Sequence, residues 1–299
     1  MAHRLVAKCI ALGSLVAASL LVAFTDAASQ ASACDRPCLQ AFLDEYLDAL
    51  QRRDPSGLPV AAVFKYTENG RAIELGQGFW HTAGTRRDYR VDVLDPETGG
   101  ALAMTAFDEY DGTAQVMVRL KIGDRRITEI ETIVARIGDQ RWFAPENLDG
   151  LSDIYAQRVP VSERHTRAEL VAAADAYFTA VHTEGTPEFA QAPFGAGMKR
   201  IENGVQTTHV TENPIVDRHM LSPGEQLERA FYKGIMVVER RFPLVDIEHG
   251  IAVGIAAFRR QGTDSTTLLF SEIFKVTGGE LREIRAVMIN LPRGASTGW

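Results

Sequence analysis

The sequence predicts an α+β protein built from two similar domains in tandem, each a helix packed on a curved antiparallel sheet. Two internal echoes and the strand signals between them lead there. Phe64-Lys65-Tyr66-Thr67-Glu68-Asn69-Gly70 returns as Met198-Lys199-Arg200-Ile201-Glu202-Asn203-Gly204, and a helix-patterned stretch carrying an aromatic precedes each by roughly 20 residues. Each copy also closes alike: Leu120-Lys121-Ile122-Gly123-Asp124-Arg125-Arg126-Ile127-Thr128-Glu129-Ile130 can be laid over Phe274-Lys275-Val276-Thr277-Gly278-Gly279-Glu280-Leu281-Arg282-Glu283-Ile284. A repeat of this kind points to a fold before it points to a reaction.

In the first copy, Leu39, Phe42, Leu43, Tyr46, Leu47 and Leu50 recur at helical spacing between Cys38 and Arg52, and Asp54-Pro55-Ser56-Gly57 ends the helix. After the Glu-Asn-Gly loop, residues 80–87 read as irregular. Tyr89, Val91 and Val93 alternate into a strand stopped by Asp95-Pro96-Glu97-Thr98-Gly99-Gly100, and strands follow near 101–110, 114–122 and 126–137, divided by Asp111-Gly112 and Gly123-Asp124. Such tight turns favour an antiparallel meander. Residues 142–160 read as a linker. The plan restarts with a helix over 167–181 carrying Leu170, Ala174, Tyr177 and Phe178. Ser222-Pro223-Gly224-Glu225 is a capping box with proline at the first helical position, which predicts a short helix from Pro223 to about Tyr232. Strands are expected near 235–245, 251–260, 266–276 and 281–289. The domains are therefore 34–150 and 160–299.

Residues 1–33 read as a signal peptide, with Arg4 and Lys8 as the basic start, an apolar stretch from Ile10 to Phe24, and Ala31-Ser32-Ala33 as the cleavage signal. This predicts an exported protein, periplasmic or secreted. A cut after Ala27 is an alternative. In a competing reading Cys34 is the lipid-bearing first residue of a lipoprotein, but Ala31 stands where a larger aliphatic is usual. Removing the leader with Arg4, Lys8 and Asp26 reduces 32 basic and 39 acidic residues to 30 and 38, a formal charge of −8. That surface repels nucleic acid, and no run of basic residues suggests otherwise. No apolar run after the leader approaches the roughly 20 residues of a membrane helix. Cys34 and Cys38, four apart at the start of a helix, suit a small disulfide pinning the N-terminus in an oxidising compartment.

A helix followed by such a sheet resembles the cone-shaped α+β fold of the nuclear transport factor 2 (NTF2)-like and SnoaL-like group. A closer resemblance is to an uncharacterised exported tandem family with four marks, present here as Cys34-Asp35-Arg36-Pro37-Cys38-Leu39, Thr67 to Gly70, Arg240-Arg241-Phe242-Pro243-Leu244-Val245-Asp246 and Gly298-Trp299. The broader resemblance implies a pocket between helix and sheet, in a group holding cofactor-free dehydratases, isomerases, epoxide hydrolases and cyclases as well as proteins that only bind. Single domains of this fold often dimerise through the outer sheet face, so the two copies are expected to form an internal pseudo-dimer. The oligomeric state beyond that is left open.

Chemistry is expected in the second copy. Glu272 shares a strand face with Leu268, Phe270 and Phe274, where desolvation raises a carboxyl toward the range of a general acid or base, while the matching first-copy residue is Val118. The structural alternative is a buried Glu272–Arg pair. Arg241, aligned with Arg90, is the candidate to stabilise an oxyanion, and His219 with Asp217 two residues earlier is a candidate oriented base at the pocket rim. Tyr232 reads as a pocket wall. Trp80, His81 and Arg90 are the comparable first-copy set for substrate contact. Glu68-Asn69-Gly70 and Glu202-Asn203-Gly204, present in both copies, favour a structural turn. Phosphate loops, Rossmann glycines, a nucleophile elbow and metal-ligand spacings are absent from the sequence, so neither cofactor nor metal is expected. The two functions that remain are a cofactor-free lyase, hydratase or isomerase acting on a partly apolar small molecule, and a non-catalytic ligand-binding or protein-interaction module.

Overall fold

The computed structural model describes Met1 and residues 34–110, 112–186, 191–260 and 266–299. The expected leader beyond Met1, and Asp111 of the expected Asp111-Gly112 turn, lie outside the described residues. In the first copy, α1 (Arg36–Arg52) is followed by β1 (Val60–Glu68), β2 (Arg71–Ala72), β3 (Arg86–Asp95), β4 (Gly100–Glu109), β5 (Gly112–Gly123) and β6 (Arg126–Ala135). The second copy runs α2 (Arg167–Thr183), β7 (Phe194–Glu202), β8 (Val205–Gln206), α3 (Pro223–Glu228), β9 (Ile235–Asp246), β10 (Ile251–Arg260), β11 (Thr267–Thr277) and β12 (Glu280–Leu291). The sheets have the same order, β2-β1-β6-β5-β4-β3 and β8-β7-β12-β11-β10-β9. Each is an antiparallel meander extended at its last strand by a parallel partner, β1 on β6 and β7 on β12. These parallel strands occupy segments in which the sequence predicts no strand. The third helix also stops earlier than expected, at Glu228, with Ala230 in a left-handed conformation (φ 56°) beyond it.

Local chemistry fixes the helix starts. The Asp35 side chain accepts from the Cys38 amide, with Pro37 in the first turn, and Thr166 and Glu169 cap α2 reciprocally. Cys34 and Cys38 form a disulfide, their Cα atoms 5.2 Å apart. Period two then divides the sheet residues into layers. In β4, Ala101 and Ala103 join Leu39, Leu43 and Leu47 of α1 in the first core. Their neighbours Leu102 and Met104 face away and meet Leu244, Val253 and Ile255 of the second copy in a core between the two sheets. Likewise Ala252 and Ala256 of β10 pack with α2, while Ile251, Val253 and Ile255 join the shared layer. Each large apolar side chain buried there contributes about 1.5–3 kcal/mol relative to exposure, so the copies are joined by a hydrophobic core.

The contacts around this layer are reciprocal. Arg36 of α1 reaches Asp246 at 2.7 Å and Glu248 at 3.2 Å in the second copy, and its counterpart Arg167 of α2 reaches Asp95 at 2.5 Å and Glu97 at 3.1 Å in the first. Contacts of i with j and j with i are the mark of a twofold-type interface, here inside one chain. The Glu-Asn-Gly segments obey the same relation. Asn69 (φ 52°) accepts from the Val134 amide and Asn203 (φ 45°) from the Met288 amide, so each ties its turn to the last strand of its own copy. A Cβ on Gly70 or Gly204 would strike the carbonyl oxygen of Ser296 or of Ala144, respectively. The segment after each last strand therefore crosses to cover the turn of the other copy.

Candidate active site

The helix-covered face of the second sheet carries a buried polar group where hydrocarbon would be expected. Strand β7 turns Met198, Arg200 and Glu202 inward by period two, α2 supplies Tyr177, and β11 supplies Glu272. The Ser222–Glu225 capping box holds the short α3 against them, which delivers Gln226 and, past the helix, Tyr232. Arg200, 2 % exposed, is the hub. Its Nε donates to Thr207 Oγ1 at 3.0 Å and lies 2.8 Å from Glu202, Nη1 donates to the Tyr177 hydroxyl at 3.3 Å, and Nη2 donates to Gln226 Oε1 at 2.6 Å and to the Tyr232 hydroxyl. Tyr232 in turn donates to Gln226 Oε1 at 2.9 Å.

Glu272 lies opposite Gly254 and Ala286 in the sheet, and Phe178, Phe270 and Phe274 belong to the same core. Gly254 is required there, because a Cβ would fall 2.7 Å from the Phe178 ring. Glu272 is 2 % exposed and its Oε2 has no hydrogen-bond partner. Burial pushes the carboxyl up to about 8; Arg200 opposes the shift and Glu202 adds to it. Glu272 is thus protonated at neutral pH, a donor in an aromatic surrounding. Burial also raises the Tyr177 and Tyr232 hydroxyls, which stay protonated.

The other sequence candidates divide. Tyr232 belongs to this cluster. His219 is 1 % exposed, edge-on to Trp142 with ring centroids 4.7 Å apart, and held down to about 4 by burial and by Arg218, Arg200 and Arg141. Asp217 is exposed and both His219 ring nitrogens lack a hydrogen-bond partner, so the expected Asp-x-His pair does not form among the described residues. Arg241 requires a correction: it points to the opposite sheet face and pairs with Glu131 of the first copy at 2.6 Å, because its neighbour Phe242 takes the helix-facing position, stacked on Phe178. The guanidinium nearest in effect to Glu272 belongs to Arg200 instead. The first-copy set does not converge either. Trp80 is buried edge-on to Tyr46, His81 is exposed and contacts Gln77, and Arg90 pairs with Asp44 and Asp92 in a cleft of about 510 Å³ between the copies. Among the described residues no group of three or more His, Cys, Asp or Glu is placed to hold a metal ion, and no helix is long and apolar enough to cross a membrane.

The sequence reading missed Arg200, Gln226 and Glu202. One signal was present, since Arg200 replaces Tyr66 just as Glu272 replaces Val118, so an aromatic and an apolar inward position become a guanidinium and a carboxyl in the same copy.

An α+β chain with two like sheets, each packed by a helix, is thus the class that the fold defines. The family model for a domain of unknown function, DUF8021, matches residues 32–134 and 163–288, one stretch in each copy, and the chain belongs to that family. No curated protein matches. Among solved structures, a steroid delta-isomerase from Pseudomonas aeruginosa is similar at 16% identity over 33% of this chain and 80% of that one, with a TM-score of 0.26.

Proposed function

We propose that the second copy holds a small-molecule site for cofactor-independent acid/base chemistry, as a lyase, hydratase or isomerase, on a partly apolar substrate. The chain in this reading is an exported tandem NTF2-like/SnoaL-like protein with domains 34–150 and 160–299. The observation that carries the proposal is internal to the molecule. At one sheet position the first copy keeps Val118, fully buried, and the second keeps Glu272, equally buried and without a partner for Oε2. The fold has no need of a carboxyl there, and a lone one is costly. Glu272 moves the proton, from a pKa matched to neutral pH. Arg200, through Tyr177 and Tyr232, takes the role of stabilising developing negative charge that the sequence reading gave Arg241. The test is a metabolite screen on residues 34–299, followed by Glu272→Gln. Turnover should fall by about 10²-fold or more while the fold holds. Turnover unchanged in that variant, or ligands bound without conversion, would leave a binding module in place of an enzyme.

A further inference from the structure

We infer that the rim of the second copy is an oxyanion site for the carboxylate or phosphate group of a small molecule, built from Arg141, Trp142, Arg218 and His219. The Arg141 and Arg218 guanidiniums lie 4.4 Å and 5.6 Å from the Trp142 ring centroid, and the His219 ring meets the same indole at 4.7 Å. Among the described residues, neither guanidinium has an ion-pair or hydrogen-bond partner. Both His219 ring nitrogens are buried without partners, although a neutral imidazole carries one donor and one acceptor, each costly to leave unmade. Burial, and after it Arg218, Arg200 and Arg141, hold the protonation of this ring down, so the charged groups acting on it are cations.

The other crossing segment supplies the comparison. Its Trp299 is likewise surrounded by cations, with Lys65 at 3.9 Å, Arg119 at 4.5 Å and Arg241 at 5.6 Å from the ring. There the two guanidiniums are neutralised: Glu131 pairs with both, at 2.7 Å and 2.6 Å. The first copy carries its counter-charge in its own sequence. In the second, an oxyanion would supply it, taking charge-assisted bonds from planar guanidiniums and the His219 N–H beside the indole.

The inference stands apart from the chemistry of Glu272 and is tested by binding alone. Calorimetric titration of residues 34–299 at fixed ionic strength uses inorganic phosphate in one arm and benzoate in the other. At least one probe should bind saturably at one site, with affinity about tenfold or more weaker in Arg141→Ala and in Arg218→Ala. Affinity should be unchanged in Arg71→Ala, a change at an exposed arginine of the first copy. Binding of phosphate alone identifies a phosphoryl group, and of benzoate alone a carboxylate. No saturable binding with either probe, or affinity unmoved by both arginine changes at the rim, overturns the inference and leaves His219 and Trp142 as a packing contact.

Discussion

The two copies share strand order, turn chemistry and helix placement, yet fill the space under their helices in opposite ways. The first closes it with rings and hydrocarbon: Tyr46 edge-on to Trp80, with Tyr66 and Val118 in the same core. The second places Arg200 at the position of Tyr66 and Glu272 at that of Val118, and surrounds the arginine with two tyrosines, a glutamine and Glu202. One backbone plan accepts both fillings. The polar set is therefore not a demand of the fold, and its cost can be measured against the copy that does without it.

The largest expected effect is a pH dependence that follows Glu272 of the second copy. The folded pKa of Glu272, about 8, lies above its ordinary value of 4.5. The native state thus holds the proton more tightly than the unfolded chain. This contribution to stability is full below pH 4.5, falls as pH rises and is lost above about pH 8, a change on the order of 4–5 kcal/mol. Urea unfolding at pH 5 and pH 9 should show the decline in wild type and a decline smaller by about 4 kcal/mol in Glu272→Val, which installs the first-copy residue. Equal declines would mean that the carboxyl is not isolated as described. Next is Arg200→Met, which leaves Glu202 buried beside an apolar side chain and should cost about 3–5 kcal/mol. A loss under about 1 kcal/mol by thermal unfolding would show that the arginine hub is not needed for folding.

The twofold relation itself can be broken by matched substitutions. Arg36→Ala and Arg167→Ala each strip a guanidinium, about a quarter exposed, from a buried aspartate. Each should cost about 2–3 kcal/mol, below the full penalty for a buried pair because of that exposure, and the two losses should agree within about 1 kcal/mol. Unequal losses in denaturant titrations would refute functional equivalence of the two contacts. The smallest effects concern the helix starts, where the copies use different devices. Reducing the Cys34–Cys38 disulfide should cost about 2 kcal/mol or less, given so short a loop. Thr166→Ala, which removes the cap of α2, should cost about 1 kcal/mol. Differential scanning calorimetry resolves both.

Which parts of this could be read from the chain follows from the range of the signals. The helices and the four-strand meanders declare themselves within windows of ten residues, through Leu39 to Leu50 or Tyr89 to Val93. Strands β1 and β7 do not. Ala62 and Val63 are exposed in succession, so alternation fails there. The partner that makes β1 a strand is β6, distant in sequence and parallel. Glu272 was legible because period two needs only its own strand. Arg200 was not, because its burial depends on α3 and Tyr232 folding over it. Arg241 was misplaced for a reason of parity. Phe242 faces α2, and the register of β9 against β10 shifts beside it, so Arg241 is turned toward the other sheet.

The crossing segments also impose an order in time. A chain synthesised from its N-terminus makes the Trp142 segment before the Asn203-Gly204 turn that it covers, with Ala144 donating to the Asn203 carbonyl at 2.9 Å. The first copy meets the reverse situation. Its Thr67 waits for the indole of Trp299, 232 residues later, and its Gly70 for the Ser296 carbonyl. The domain translated first is thus the one completed last. Until residues 296–299 dock, it must persist with an uncovered edge, the interval in which a partly folded chain is most exposed to aggregation and to chaperones.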